Sequence, residues 1–254
     1  MKLFYIILFF GIILNNTSFA QDEPIPSKEA IRSTLFNYSY VEFNLEYYNF
    51  NSSEHLLSQT GTGLLKVNKN AYFAMQYDIS TAWLNNSSYV SLGDLSFSFT
   101  RNFYSKKYHD PGFQGIATSL KLFVPTGTVE YLSGSENWKL EPSVYFGWIF
   151  KNRKNYFTNK LRVNFSMANS DNVPKSKTLV RYEATLGYEN DKFWIASTAD
   201  NRLFIDNSEY YLLGKIEFGY KFNASNGLFT SFISSIIGDY FYEYYFSLGY
   251  YKTF

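Results

Sequence analysis

Read at every second position, the C-terminal end of the chain separates into two sets. Tyr242, Tyr244, Phe246, Leu248, Tyr250, Lys252 and Phe254 are aromatic or apolar apart from Lys252, whereas Phe241, Glu243, Tyr245, Ser247, Gly249, Tyr251 and Thr253 are mixed and more polar. Strand side chains alternate between faces, so this predicts one long strand with two different environments. The same period recurs upstream. Tyr210, Leu212, Ile216, Phe218, Tyr220 and Phe222 oppose Tyr211, Leu213, Lys215, Glu217, Gly219 and Lys221. Val180, Tyr182, Ala184, Leu186 and Tyr188 oppose Arg181, Glu183, Thr185 and Gly187. Leu161, Val163 and Phe165 oppose Lys160, Arg162 and Asn164, and Val144, Phe146, Trp148 and Phe150 oppose Glu141, Ser143, Tyr145 and Gly147. Beyond the N-terminus no comparable stripe of period 3.6 competes with this strand signal.

The alternation predicts twelve strands, at about 38–50, 57–67, 71–83, 88–104, 113–125, 138–151, 155–168, 177–189, 192–203, 208–222, 227–236 and 240–254. Alternation alone fits a soluble sandwich as well as a barrel, and strand length separates them. A thirteen-residue strand at roughly 3.3 Å per residue reaches about 43 Å, and tilted by about 45° it rises about 30 Å. That covers the apolar layer of a membrane, whereas strands of soluble domains average about five or six residues. The expected fold is all-β, a transmembrane antiparallel up-and-down barrel of about twelve strands. With both chain ends on one side, every second connection is a tight inner turn. Asn68-Lys69-Asn70, Asn152-Arg153-Lys154, Asn190-Asp191 and Asn223–Gly227 fit, carrying turn residues. Ser105–Gly112 is long for that set and Gly238-Asp239 is short for an outer loop, so the count is good to about two strands.

The N-terminus differs. Lys2, the apolar run Leu3–Leu14 and Ser18-Phe19-Ala20 read as a secretory signal peptide over 1–20, the run being shorter than the roughly 20 residues of a spanning helix. Residues 21–37, with Pro24 and Pro26, read as a periplasmic leader in which Ser27–Thr34 allows a helical turn as a plug or cap, and 38–254 as the barrel in the bacterial outer membrane. Composition sharpens this. Aromatics are 21% of the 254 residues, with 24 Tyr and 26 Phe, which fits girdles at both membrane interfaces. A formal charge of +1 gives no field for nucleic acid, and the absence of Cys removes disulfides and thiol chemistry.

The terminal aromatic strand ending at Phe254 resembles the last strand of bacterial outer-membrane barrels, and the resemblance implies that the barrel-assembly machinery is a partner. Over about residues 91–150 a second resemblance appears. Gly93-Asp94-Leu95-Ser96-Phe97, Val124-Pro125-Thr126-Gly127 and Trp138-Lys139-Leu140-Glu141-Pro142 resemble the outer-membrane family associated with the phenol meta-degradation pathway. That resemblance implies a transporter-like barrel for hydrophobic or aromatic compounds.

The charges define the candidate site. Asp94, Lys121, Glu141, Lys160, Arg162, Arg181, Glu183, Lys215, Glu217, Lys221 and Glu243 fall on registers assigned inward, as do Glu42, Glu46, Asp78 and Lys139. Arg or Lys facing lipid near mid-membrane would cost about 2–4 kcal/mol, which favours the inward assignment. Two readings stay open: a narrow polar channel lined by these residues, with loops 126–137 and 169–176 as gates, or an ion-paired, self-filled lumen in a structural or surface-interaction barrel. An outer-membrane phospholipase would need a His base beside a Ser. His55-Leu56-Leu57-Ser58 lacks that family's spacing and His109 lies in an inner connection, so neither is read as catalytic. No cofactor or metal set is expected; the expected contacts are outer-membrane lipid and an unidentified small solute.

Overall fold

A computed structural model describes residues 38–51, 54–84, 87–106, 110–127, 137–167, 178–239 and 242–254. The expected signal peptide, the leader 21–37, His109 and loop positions 128–136 and 169–176 lie outside the described residues. The strands are β1 (Tyr40–Asn51), β2 (Glu54–Asn68), β3 (Ala71–Leu84), β4 (Ser87–Leu92), β5 (Leu95–Ser105), β6 (Gly112–Val124), β7 (Trp138–Ile149), β8 (Asn155–Met167), β9 (Leu179–Glu189), β10 (Phe193–Phe204), β11 (Glu209–Asn223), β12 (Asn226–Ile237) and β13 (Tyr244–Thr253). Each pairs antiparallel with its neighbours, and β13 closes on β1 from Tyr40↔Thr253 to Asn49↔Tyr244. β4 and β5 both pair with β3, one along each half, so they are two pieces of one stave and the closed barrel has twelve.

Two boundaries depart from the expected ones by an interruption or a delayed start, each for a local reason. The strand expected at 88–104 breaks at Gly93-Asp94, although Gly93 N still donates to Asp78 O at 2.9 Å. A Cβ on Gly93 would lie 2.6 Å from Asp78 Oδ2, so the wall turns where only glycine fits. The last strand begins at Tyr244 rather than 240, because Gly238 takes φ +79 and Glu243 N is drawn to Asn49 O at 2.9 Å.

The four expected tight turns share one device. The Oδ1 atoms of Asn68, Asn152, Asn190 and Asn223 each accept from backbone N–H groups two or three residues on, at 2.8–3.1 Å. These Asx turns reverse the chain within a few residues, and Arg153 accepts φ +57 to complete one of them.

The alternation sorts the faces as expected. Phe246, Leu248, Ile216, Phe218, Leu161 and Leu186 are exposed on the outside, whereas Ser247, Glu217, Thr185 and Glu141 are buried inside. The inner end of the lumen is filled with rings. Trp194, Phe229 and Tyr251 form one cluster, and Tyr40, Leu64 and Tyr72 a second. A third joins Tyr38, immediately ahead of β1, to Ala117, Tyr145, Ile149 and Tyr156 on β6, β7 and β8. Those strands lie on the far side of the ring from β1, so Tyr38 meets the opposite wall across the lumen.

Candidate functional site

Above this aromatic floor the inward positions become polar. They enclose a cavity of about 340 Å³ whose lining includes Glu42, Asn44, Glu46, Gln76, Lys121, Glu141, Lys160, Arg162, Glu183 and Lys215. A smaller cavity of about 170 Å³ adjoins it, lined by Glu46, Arg181, Glu183, Asp200, Arg202, Lys215 and Tyr245 among others. Strand geometry explains the convergence: residues two apart share a face, and antiparallel register sets Lys121 beside Glu141 and Lys160 beside Glu183.

One wall carries a continuous ladder of ion pairs across β7 to β10. Arg162 reaches Glu141 at 3.5 Å and Glu183 at 2.6 Å; Arg181 reaches Glu183 at 3.1 Å and Asp200 at 2.5 Å; Arg202 closes on Asp200 at 2.6 Å. Lys215 lies 2.9 Å from Glu217 on β11. Alternating charges compensate one another, which is what permits so many ionised groups in one confined space.

Not every charge enters this ladder. Lys121 donates to Gln76 Oε1 at 3.0 Å and lies over the Phe123 ring, and Lys160 lies over the Tyr145 ring. Neither has a carboxylate at ion-pair distance among the described residues. Across the lumen, Glu46 accepts from the Tyr48 hydroxyl at 2.8 Å, and Asp78 accepts from Ser58 and Ser80. Glu42 accepts from Asn44 at 2.6 Å. The wall formed by β1 and β3 therefore presents carboxylates, and the wall formed by β6 to β11 presents a surplus of cations. Tyr48 stacks with Tyr245 and Phe50 above Glu46 towards the outer end, its centroid 4.6 Å from that of Tyr245, and Tyr242 meets it edge-on.

Of the eleven residues expected to line a pore, Lys121, Glu141, Lys160, Arg162, Glu183 and Lys215 line the larger cavity and Arg181 the smaller. The other four lie elsewhere. Glu217 is buried on the inner face beside the aromatic floor, accepting from Trp194 Nε1 at 3.1 Å. Lys221 pairs with Glu189 and donates to Asn190 O at 3.0 Å, tying down an inner turn. Glu243 is exposed at the outer rim, where Asn49 Nδ2 donates to it at 2.8 Å. Asp94 accepts from Gly127 N at 3.1 Å. Asp200 and Arg202 join the site although alternation does not single them out. Their strand sets Trp194, Ala196 and Thr198 inward, and Ser197, Ala199 and Asn201 outward beside Ile195 and Leu203, so polarity does not separate its faces.

The motifs behind the sequence resemblance also meet. Thr126 Oγ1 donates to Gly93 O and accepts from Leu95 N, each at 2.9 Å, while Asp94 holds the Gly127 amide. Gly-Asp and Pro-Thr-Gly thus form one latch between the strand break and the end of β6, with Lys139 and Glu141 on the adjoining strand. His55 is bonded to Tyr47 through Nδ1 at 3.0 Å, and no serine hydroxyl lies within hydrogen-bond distance of it among the described residues. Those residues also contain no cluster of His, Asp and Glu able to hold a metal.

No protein-family model matches the sequence, and neither does any curated protein. Solved structures do match. An outer membrane channel from Pseudomonas putida F1 superposes with TM-score 0.64 at 12% identity, over 92% of this chain and 99% of that one. The NanC porin gives TM-score 0.58 at 11% identity over 84% and 98%, and the KdgM porin in complex with disordered oligogalacturonate 0.58 at 10% over 85% and 99%. At such identities the shared property is the fold, a closed antiparallel barrel.

Proposed function

We propose that this protein is a bacterial outer-membrane channel that passes small polar solutes by diffusion through its charged chamber. The observation carrying this reading is the 340 Å³ cavity with Lys121, Lys160 and Glu46 in its lining, none of them at ion-pair distance from another described residue. Charges kept inside a barrel and not locked into ion pairs act on whatever ion or solute enters. The outer surface supports the location: Leu248, Phe246, Phe218 and Leu186 are each about half exposed, an apolar surface that suits lipid. The similar folds include an outer membrane channel and two porins. The chamber's polar lining favours polar cargo over the hydrophobic or aromatic compounds that the sequence resemblance implies.

A second reading, a structural or surface-interaction barrel with a blocked lumen, draws on the ring of Tyr38, Tyr145 and Tyr156 across the inner end. Single-channel recording of the refolded protein in planar bilayers separates the two. The channel reading expects stable conductance whose cation preference rises in Lys121→Gln. A folded, heat-modifiable barrel that passes no current overturns it in favour of the blocked one.

A further inference from the structure

The leftover charges are not scattered. Glu46 stands on β1, and Lys121 and Lys160 stand on β6 and β8, strands on the far side of the ring, and all three line the same cavity. Glu42 lies four residues from Glu46 on the same face, and Arg162 lies two residues from Lys160. The ladder on β7 to β10 is internally compensated, so it adds little net field to this opposition. A solute at this level has carboxylates on one flank and ammonium groups on the other, within low-dielectric walls that focus the field.

Resting on the channel reading above, we propose that the chamber selects small dipolar solutes, zwitterions that carry an ammonium and a carboxylate a few bonds apart. Such a solute sets its cationic end towards Glu42 and Glu46 and its anionic end towards Lys121 and Lys160. A purely anionic or cationic solute gains from one wall and is repelled by the other. A neutral solute of equal size gains from neither. The aromatic stack of Tyr48 and Tyr245 above Glu46 flanks the same acidic wall and offers ring faces to an incoming ammonium group.

The test uses β-alanine and its uncharged isomer lactamide, which share atoms and size but not charge separation. Uptake into liposomes carrying the protein, less uptake into protein-free liposomes, is compared for the two, with lactate and ethanolammonium as singly charged controls. The expected result is β-alanine entry faster than lactamide on the order of tenfold. Both singly charged solutes are expected to fall below β-alanine. Glu46→Gln removes one charge of the acidic flank at equal side-chain length, and Lys160→Gln removes one charge of the basic flank with a side chain one atom shorter. Each is expected to abolish most of the β-alanine advantage, and their potassium chloride reversal potentials are expected to shift in opposite directions. Equal entry of β-alanine and lactamide through a barrel that conducts potassium chloride overturns this inference and leaves the channel reading standing. A folded barrel that passes neither ions nor any solute overturns both.

Discussion

Arg162 and Arg181 stand directly opposite one another on β8 and β9, and one oxygen of Glu183 lies between them, 2.6 Å from the first guanidinium and 3.1 Å from the second. Like charges at facing positions destabilise a sheet unless something compensates them. Here the compensation comes from the residue two places along β9, on the same face. Glu183→Gln removes it and leaves two adjoining guanidinium groups confined in the wall. The variant is expected to lose about 3 kcal/mol of stability, the scale for breaking a confined pair by taking one partner. Urea unfolding in proteoliposomes measures this. Adding Arg162→Met to Glu183→Gln should restore part of the loss, and an unchanged midpoint in Glu183→Gln would show that the ladder does not stabilise the wall.

The floor of the chamber depends on a different fit. Trp194 and Gly219 face each other on β10 and β11, and a Cβ on Gly219 would lie 2.0 Å from Trp194 Cζ2. Gly219→Ala therefore has to displace a fully buried indole and its hydrogen bond to Glu217, a change expected to cost about 1–3 kcal/mol. Trp194→Phe frees the volume, so the double variant should lose less than the sum of the single ones. Strict additivity in unfolding experiments would refute the packing account.

How far the chain discloses this architecture is visible at particular residues. Strands with strong contrast between faces, such as Glu209–Asn223, announce themselves through the alternation of Ile216 and Phe218 with Lys215 and Glu217. The tight turns were equally legible, because each carries an Asn whose side chain does the turning. Long-range consequences were not. Alternation assigns Glu217 and Lys221 to the inner face, but only three-dimensional neighbours show that Trp194 and Glu189 occupy them. Asp200 and Arg202 are hidden by a strand whose two faces both mix polar and apolar residues, Ile195 and Leu203 beside Ser197 and Asn201 outside, Trp194 and Ala196 beside Thr198 inside. The encounter of Tyr38 with β6 to β8 depends on barrel closure, which no local pattern encodes.

The latch at Thr126 gives a local prediction. Its hydroxyl donates to Gly93 O and accepts from Leu95 N, so Thr126→Val keeps the shape and removes both bonds. Loss of two hydrogen bonds is expected to cost about 1–3 kcal/mol, concentrated at the junction of β4 and β5. Amide exchange at Leu95 should accelerate while exchange at distant Ile216 stays unchanged. Uniform acceleration, or none, would show that the latch does not hold the strand break.

Tyr38 tests what the inner end does to passage. It is buried, although it precedes the first strand, because its ring sits among Tyr145, Ile149 and Tyr156 from the opposite wall. A ring held across the lumen removes cross-section at the level where the walls already project aromatic side chains. Tyr38→Ala withdraws that ring without touching a strand pair, since Ser39 still binds Lys66 N and Phe254 N. Single-channel conductance is expected to rise, because side chains at a constriction set the width open to ions. Tyr38→Phe keeps the ring and should leave conductance at the parent value. If Tyr38→Ala conducts as the parent does, the narrowest level lies elsewhere, and the clusters around Trp194 and Tyr72 become the segments to open next.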